Sequence, residues 1–221
     1  MTGLPAALAH PSPGPGLFIT LEGGDGAGKT TQADLLERWL REQGRSILRT
    51  REPGGTPLGL VLREAILHRD EHIAARAEAL VYAADRAQHV ATVVRPALER
   101  GEVVIQDRYL DSSVAYQGSG RILSPEEVRG LSLWATEGLL PHLTVLLDLD
   151  AAEGLARAGR RADARFDRLE AAGDAFHERV RQSFRALAEA EPERFLVLDA
   201  SLPVEQLAER IRDRVRPLLG E

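Results

Sequence analysis

LEGGDGAGKTTQ, residues 21–32, holds the only lysine of the chain, Lys29; every other residue in its Lys and Arg total is arginine. The spacing Gly23-x4-Gly28-Lys29-Thr30 fits G-x-x-x-x-G-K-[ST]. The context agrees: an apolar run precedes it and a helical pattern follows. Glycines allow the backbone angles that turn successive N–H groups toward one point. A helix opening near Gly28 aims its unpaired amides and positive dipole end at the same place. An ammonium is compact and rotatable where a guanidinium is a planar fork, which accounts for one lysine surviving in an arginine-rich chain. The stretch therefore reads as a phosphate cradle built from Gly23, Gly24, Asp25, Gly26, Ala27, Gly28, Lys29, Thr30 and Thr31. Lys29 can follow the phosphate charge during transfer, and the Thr30 hydroxyl suits Mg2+.

Outward from the cradle, apolar runs alternate with helical patterns. Strands are expected at 17–21, 46–50, 103–106, 143–148 and 195–198. Helices are expected at 30–43, 58–67, 74–98, 124–139, 151–158, 174–190 and 204–218, with Pro96 bending or ending the third. Ser124-Pro-Glu-Glu has the spacing of a capping box with proline at the first helical position. Strands separated by helices imply parallel pairing and right-handed crossovers. The expected fold is a three-layer α/β P-loop kinase fold, a five-stranded parallel sheet flanked by helices. Residues 1–16, without Lys or Arg and ending in alternating Pro and Gly, are expected to be a disordered tail rather than a secretory signal. Residues 17–221 are expected to form one domain. Within it, about 157–170 carries Arg157, Arg160, Arg161, Arg165 and Arg168 with almost no apolar residue, and reads as a lid.

Composition narrows the function. The net charge of -6 argues against nucleic-acid and membrane-surface partners. No apolar run approaches the roughly 20 residues of a membrane helix. The absence of cysteine removes disulfides, thiolate metal sites and a Cys nucleophile, and fits a reducing cytosol. The chain has no asparagine, so it lacks the Asn-Lys-x-Asp base-reading motif of a GTPase-type switch. At 221 residues a small kinase of nucleotides or metabolites remains. Such an enzyme needs a second anion site facing the cradle, and a lid that keeps water out.

FITLEGGDGAGKTTQ, TREPGGT, YAADRAQH, VVIQDRYLDSSVAYQG, LLDLD and the lid ending in DRLE occur in this order. Together they resemble the thymidylate kinases of the bacterial type, over roughly 17–218. The resemblance implies ATP and Mg2+ as cofactors, thymidine 5′-monophosphate as acceptor and a cytoplasmic homodimer. The apolar helix faces near 58–67 and 124–139 are candidate interfaces.

The resemblance also assigns roles. Asp25 is electrostatically odd inside a phosphate cradle, which points to a task. In the family that position accepts from the acceptor sugar's 3′-hydroxyl or stands near Mg2+. Arg51 and Arg108 would hold the acceptor monophosphate with bidentate forks, Arg108 nearer the transferred group. Asp107 would orient Mg2+-bound water or the Arg108 fork, and Thr30, Asp107 and Glu170 would make the metal region. Tyr82 and Arg86, four apart on a helix, share a face. Tyr82, where relatives often have Phe, would stack on thymine, and Arg86 would donate to a base oxygen. Ser113 stands where relatives carry Asn or Thr to meet the base. Tyr116 would crowd the sugar's 2′ edge, with Gln117 its neighbour. Some relatives place an arginine at position 26; this chain has glycine there and supplies lid arginines instead, Arg160 and Arg161 being the catalytic candidates. The resemblance further implies a cis Glu52–Pro53 bond. Two readings compete: a kinase of a nucleoside hydroxyl, which would need a base but not the paired arginines, and a nucleotide-binding module without turnover.

Overall fold

The computed structural model describes residues 15–67, 73–119, 123–159, 169 and 172–220. Nearly all of the expected tail and most of the expected lid, with Arg160, Arg161 and Glu170, lie outside the described residues.

The first strand, β1 (Leu17–Gly23), is buried along its whole length. Runs of this kind suit a parallel sheet covered on both faces. β2 (Ile47–Arg51), β3 (Val103–Asp107), β4 (Leu143–Asp148) and β5 (Phe195–Asp199) join it in the order β2-β3-β1-β4-β5, every pair parallel. Ile19 stands opposite Ile105 on one side and Leu143 on the other. Alternation along the strands splits the core. Leu17, Ile19 and Leu21 pack with Leu36 and Leu40 of α1 (Lys29–Glu42) and with Leu207 and Ile211 of α9 (Val204–Val215). On the opposite face Phe18 packs with Val90, Leu98 and Tyr109, and Leu146 packs with Tyr116, Phe176 and Phe184.

The remaining helices are α2 (Pro57–Leu67), α3 (Ala75–His89), α4 (Arg95–Glu99), α5 (Leu110–Ser113), α6 (Pro125–Ala135), α7 (Ala151–Gly159) and α8 (Asp174–Ala190). Ser124 and Glu127 form both bonds of the expected capping box. Pro96 neither ends nor simply bends its helix. The chain widens into a π-turn at Val90–Val94 and resumes as α4 with proline in its first turn. Proline lacks the N–H and crowds the preceding turn, so the helix opens there. α6 stops at Ala135, short of the expected Leu139, because Glu137 and Gly138 adopt φ 51 and φ 75. α9 tightens into a 3-10 turn at Arg216–Leu219, where Pro217 cannot continue the α pattern. The π-helical segment Val114–Ser119 after α5 has no counterpart among the expected elements.

All five strands run the same way, so their carboxyl ends share one rim. The turns after β1, β2 and β3 deliver LEGGDG, REPGGT and DRY there, where ligand sites of open α/β sheets lie.

Candidate active site

The cradle is shaped by conformations open to glycine. Gly28 at φ 92 caps α1, and no side chain takes up the helix's first amides. Those amides remain available to an anion. The Lys29 ammonium donates to the carbonyls of Gly23 (3.1 Å) and Gly24 (2.8 Å), folded back over its own loop. Ala27 is buried in the core, anchoring the loop from beneath. Gly26 has φ 74, and a Cβ there would collide with the Gly154 carbonyl of α7. That contact leaves no room for an arginine at this cradle position, where some relatives carry one.

The turn after β3 places the next cation. Arg108 is one of two non-glycine residues with positive φ among the described residues, at 64°. Its guanidinium donates to the Gly23 carbonyl (3.1 Å), the Ser112 hydroxyl (3.2 Å) and Asp25 Oδ1 (2.7 Å). It also lies over the Tyr116 ring, 5.0 Å from the centroid. The Tyr116 hydroxyl donates to Asp25 Oδ2 at 3.4 Å. The odd carboxylate of the cradle thus has a partner: Asp25 ties the phosphate loop to the DRY turn.

Arg51 ends β2, exposed, with no side-chain hydrogen bond or ion pair among the described residues. The bond Glu52–Pro53 is cis, as the resemblance implies. Arg86 is buried and largely committed to the protein. It donates to Glu52 (2.8 Å), Ser132 (2.9 Å), the Tyr109 carbonyl (3.2 Å) and Ser113 (3.0 Å). Four of its five N–H groups have partners by this count, leaving at most one for a base oxygen. Ser113 therefore meets Arg86, and Gln117 donates to Glu78 (3.0 Å). Glu52 also meets His89, whose other ring nitrogen meets Thr50.

One cavity of about 480 Å³ is lined by Asp25, Gly26, Gly28, Lys29, Thr30 and Thr31 on the cradle side. Arg51, Tyr82, Arg86, Asp107, Arg108, Ser113, Tyr116 and Gln117 line it on the other, and Arg157 of α7 also reaches it. Residues far apart in the sequence meet there. Asp107 makes no hydrogen bond to the Arg108 fork; its buried Oδ1 has no partner at all among the described residues. This orphaned carboxylate oxygen and the Thr30 hydroxyl, from residues lining the same cavity, offer hard oxygen donors, which fit Mg2+ or its water shell.

Charges in the site hold one another. Burial would push the Asp25 carboxyl up, but Arg108, Lys29 and His177 outweigh it and keep it below the ordinary carboxylate range. Burial and Arg108 lower the Lys29 ammonium against Asp107, Asp25 and Glu22. Glu22, a buried carboxyl near the end of β1, is not among the candidate residues the sequence offers. Burial and then Asp111 push it up to about 8, against Ser112, Arg108 and the Tyr109 amide. The signal was present: an acid in a buried, mostly apolar run, next to the cradle, has to be held by something.

An all-parallel sheet in the order 2-3-1-4-5, with a glycine cradle on its central strand and an arginine turn on the neighbouring one, defines a P-loop kinase, a phosphotransferase. The family model for Thymidylate kinase matches residues 21–211. A thymidylate kinase of Leifsonia xyli is 69% identical over 208 residues, covering 94% of this chain and 98% of that one. Those of Bifidobacterium longum (55%, 92% and 98%) and Deinococcus radiodurans (58%, 89% and 94%) are also similar. The chain belongs to the thymidylate kinase family.

Proposed function

We propose that the protein transfers the terminal phosphoryl group of ATP to thymidine 5′-monophosphate, giving ADP and thymidine diphosphate for DNA synthesis. One observation carries the reading: the Asp25–Arg108 ion pair, 2.7 Å long, joins the Lys29 cradle to the arginine side of a single cavity. Donor phosphates fit the cradle amides and Lys29. The acceptor phosphate fits Arg51 and Arg108, and its base fits the pocket of Tyr82, Arg86 and Ser113. Arg157 reaches the cavity, and Arg160 and Arg161 are assigned the neutralising of charge on the moving group.

The acceptor is already an anionic oxygen, so the residues need only align it and neutralise charge. Mg2+ would be held near Thr30 and Asp107, with Glu170 as a further candidate, and would neutralise phosphate charge when bound. Lys29 exchanges its Gly23 and Gly24 carbonyls for phosphate oxygens. Asp25 keeps Arg108 aimed and offers its other oxygen to the sugar, and Tyr116 fills the space a 2′-hydroxyl would need.

The surface supports a homodimer. Leu58 (48% exposed), Leu60 (52%) and Val61 (66%) on α2, Leu80 (57%) on α3 and Trp134 (69%) on α6 share neighbouring helices. Exposed apolar side chains on packed neighbouring helices fit a two-fold contact with a second copy. We read 17–221 as one domain, acting in the cytoplasm.

ADP release measured with ATP and Mg2+ tests the function. The expected result is turnover with thymidine 5′-monophosphate and little with thymidine. Thymidine as the better acceptor would favour a hydroxyl kinase, and ATP binding without acceptor-dependent release a binding module.

A further inference from the structure

Arg108 sits in a backbone conformation that L residues avoid, with φ 64. Such a conformation persists only where its surroundings over-determine it. The turn is held on every side. The Arg108 amide donates to the Leu21 carbonyl at 3.0 Å. The Arg108 carbonyl accepts from the Gln106 side chain at 2.9 Å. The next amide, Tyr109, donates to Glu22 Oε1 at 2.7 Å. The other Glu22 oxygen, Oε2, accepts from the Ser112 hydroxyl at 2.6 Å, and the same hydroxyl accepts from the Arg108 guanidinium at 3.2 Å.

Glu22 is thus joined to Arg108 twice: through the backbone at Tyr109 and through the side chain by way of Ser112. It is fully buried near the end of β1, one residue before the cradle, and its hydrogen bonds go to Tyr109 and Ser112, not to Lys29. We propose that Glu22 is a positioning residue, whose two carboxylate oxygens lock the DRY turn so that the Arg108 fork points across the cradle. The linkage holds in either protonation state, since a protonated Oε2 donates to Ser112 where the ionised one accepts. A glutamine can make the same two contacts, with its amide donating to Ser112; an alanine makes neither. The proposal rests on the reading of Arg108 as a ligand of the acceptor phosphate.

Steady-state rates with ATP, Mg2+ and thymidine 5′-monophosphate test it, on Glu22→Ala, Glu22→Gln, Ser112→Ala, Arg108→Ala and the Glu22→Ala/Arg108→Ala double variant. Misaiming a guanidinium by an ångström costs about 10²-fold, so Glu22→Ala is expected to lose ~10²-fold in kcat/KM for the monophosphate. Its KM for ATP should move by less than about twofold, because Glu22 makes no hydrogen bond to Lys29 or to the cradle amides. Glu22→Gln should restore kcat/KM to within about fivefold of the wild type. In the Arg108→Ala background the Glu22→Ala change should cost less than about twofold more, because residues that act through one another are not additive.

A full, multiplicative loss in the double variant overturns the proposal, as does a parallel rise in both KM values. Should Glu22→Ala not fold, Ser112→Ala carries the same expectation at about tenfold, since it removes only the side-chain link. If Arg108→Ala is impaired while Glu22→Ala and Ser112→Ala are unchanged, the proposal alone fails. Arg108→Ala with wild-type kcat/KM overturns the reading of Arg108 and the proposal with it.

Discussion

Gly26 of the cradle and Gly154 of α7 meet backbone to backbone: a side chain on either would strike the other's loop, with a Gly154 Cβ 2.5 Å from the Asp25 carbonyl oxygen. Overpacking a rigid contact of this kind costs about 1–3 kcal/mol. Gly154→Ala is therefore expected to lower the unfolding free energy by that amount, seen as a lower urea midpoint, and to raise the KM for ATP by pushing α7 off the loop. Unfolding curves and ATP titrations on the purified variant check both, and an unchanged midpoint would show that α7 moves freely relative to the cradle.

Lys29→Ala should fold normally and lose turnover by about 10²–10³ or more, as when a preorganised donor is removed from a transfer site. The hydrogen bonds it gives up are to loop carbonyls at the cavity wall. Initial rates and a thermal melt separate chemistry from folding. A variant keeping most of its turnover would move the transfer site away from residue 29.

Arg194 grips the buried Asp111 with both nitrogens, at 2.7 and 2.9 Å, and also donates to Thr144. Removing one member of a buried pair costs about 3–5 kcal/mol because the other charge is left unpaired. Asp111→Ala is expected to show that loss in chemical denaturation, whereas replacing both residues by apolar ones should recover a good part of it.

Stability should fall as pH rises, through Glu22. Its folded pKa is raised from 4.5 to about 8, so the folded state binds the proton more tightly than the unfolded chain. The associated stability is complete below pH 4.5 and is lost as pH climbs toward 8. The slope is at most about 1.4 kcal/mol per pH unit from one such group. Urea midpoints measured across that range should decline in the wild type and be flatter in Glu22→Gln; parallel curves would assign the slope to other groups.

The sheet was legible because buried parallel strands are continuous apolar runs. β4 at Leu143–Asp148 and α8 at Asp174–Ala190 have the bounds the residues imply. Leu110–Ser119 was not legible. It is buried yet partly polar, and it packs as one α-turn followed by a π-helix, so no 3.6-residue period marks it. Within the site, Lys29, Arg51, Tyr82 and Arg108 were readable from motif and resemblance. The supports were not: Glu22 to Ser112, Arg86 to Glu52 and Glu52 to His89 join residues 37 to 90 apart, except that Arg86 and Glu52 are 34 apart. Such partners become visible only when the strands bring them side by side. The contact of Arg86 with Ser113 also explains how a short hydroxyl serves at that position, by bracing the guanidinium.

The bond between Asp25 and Arg108 has a bearing on which esters the pocket prefers. A phosphomonoester exchanges its single negative charge for a double one near pH 6. Because the guanidinium already owns a carboxylate neighbour at 2.7 Å, a singly charged ester offers it little that it lacks. With Arg108 as the proposed ligand of the acceptor phosphate, the doubly charged form would compete on better terms, so the pair would make the pocket a valence filter that favours the dianion over the monoanion.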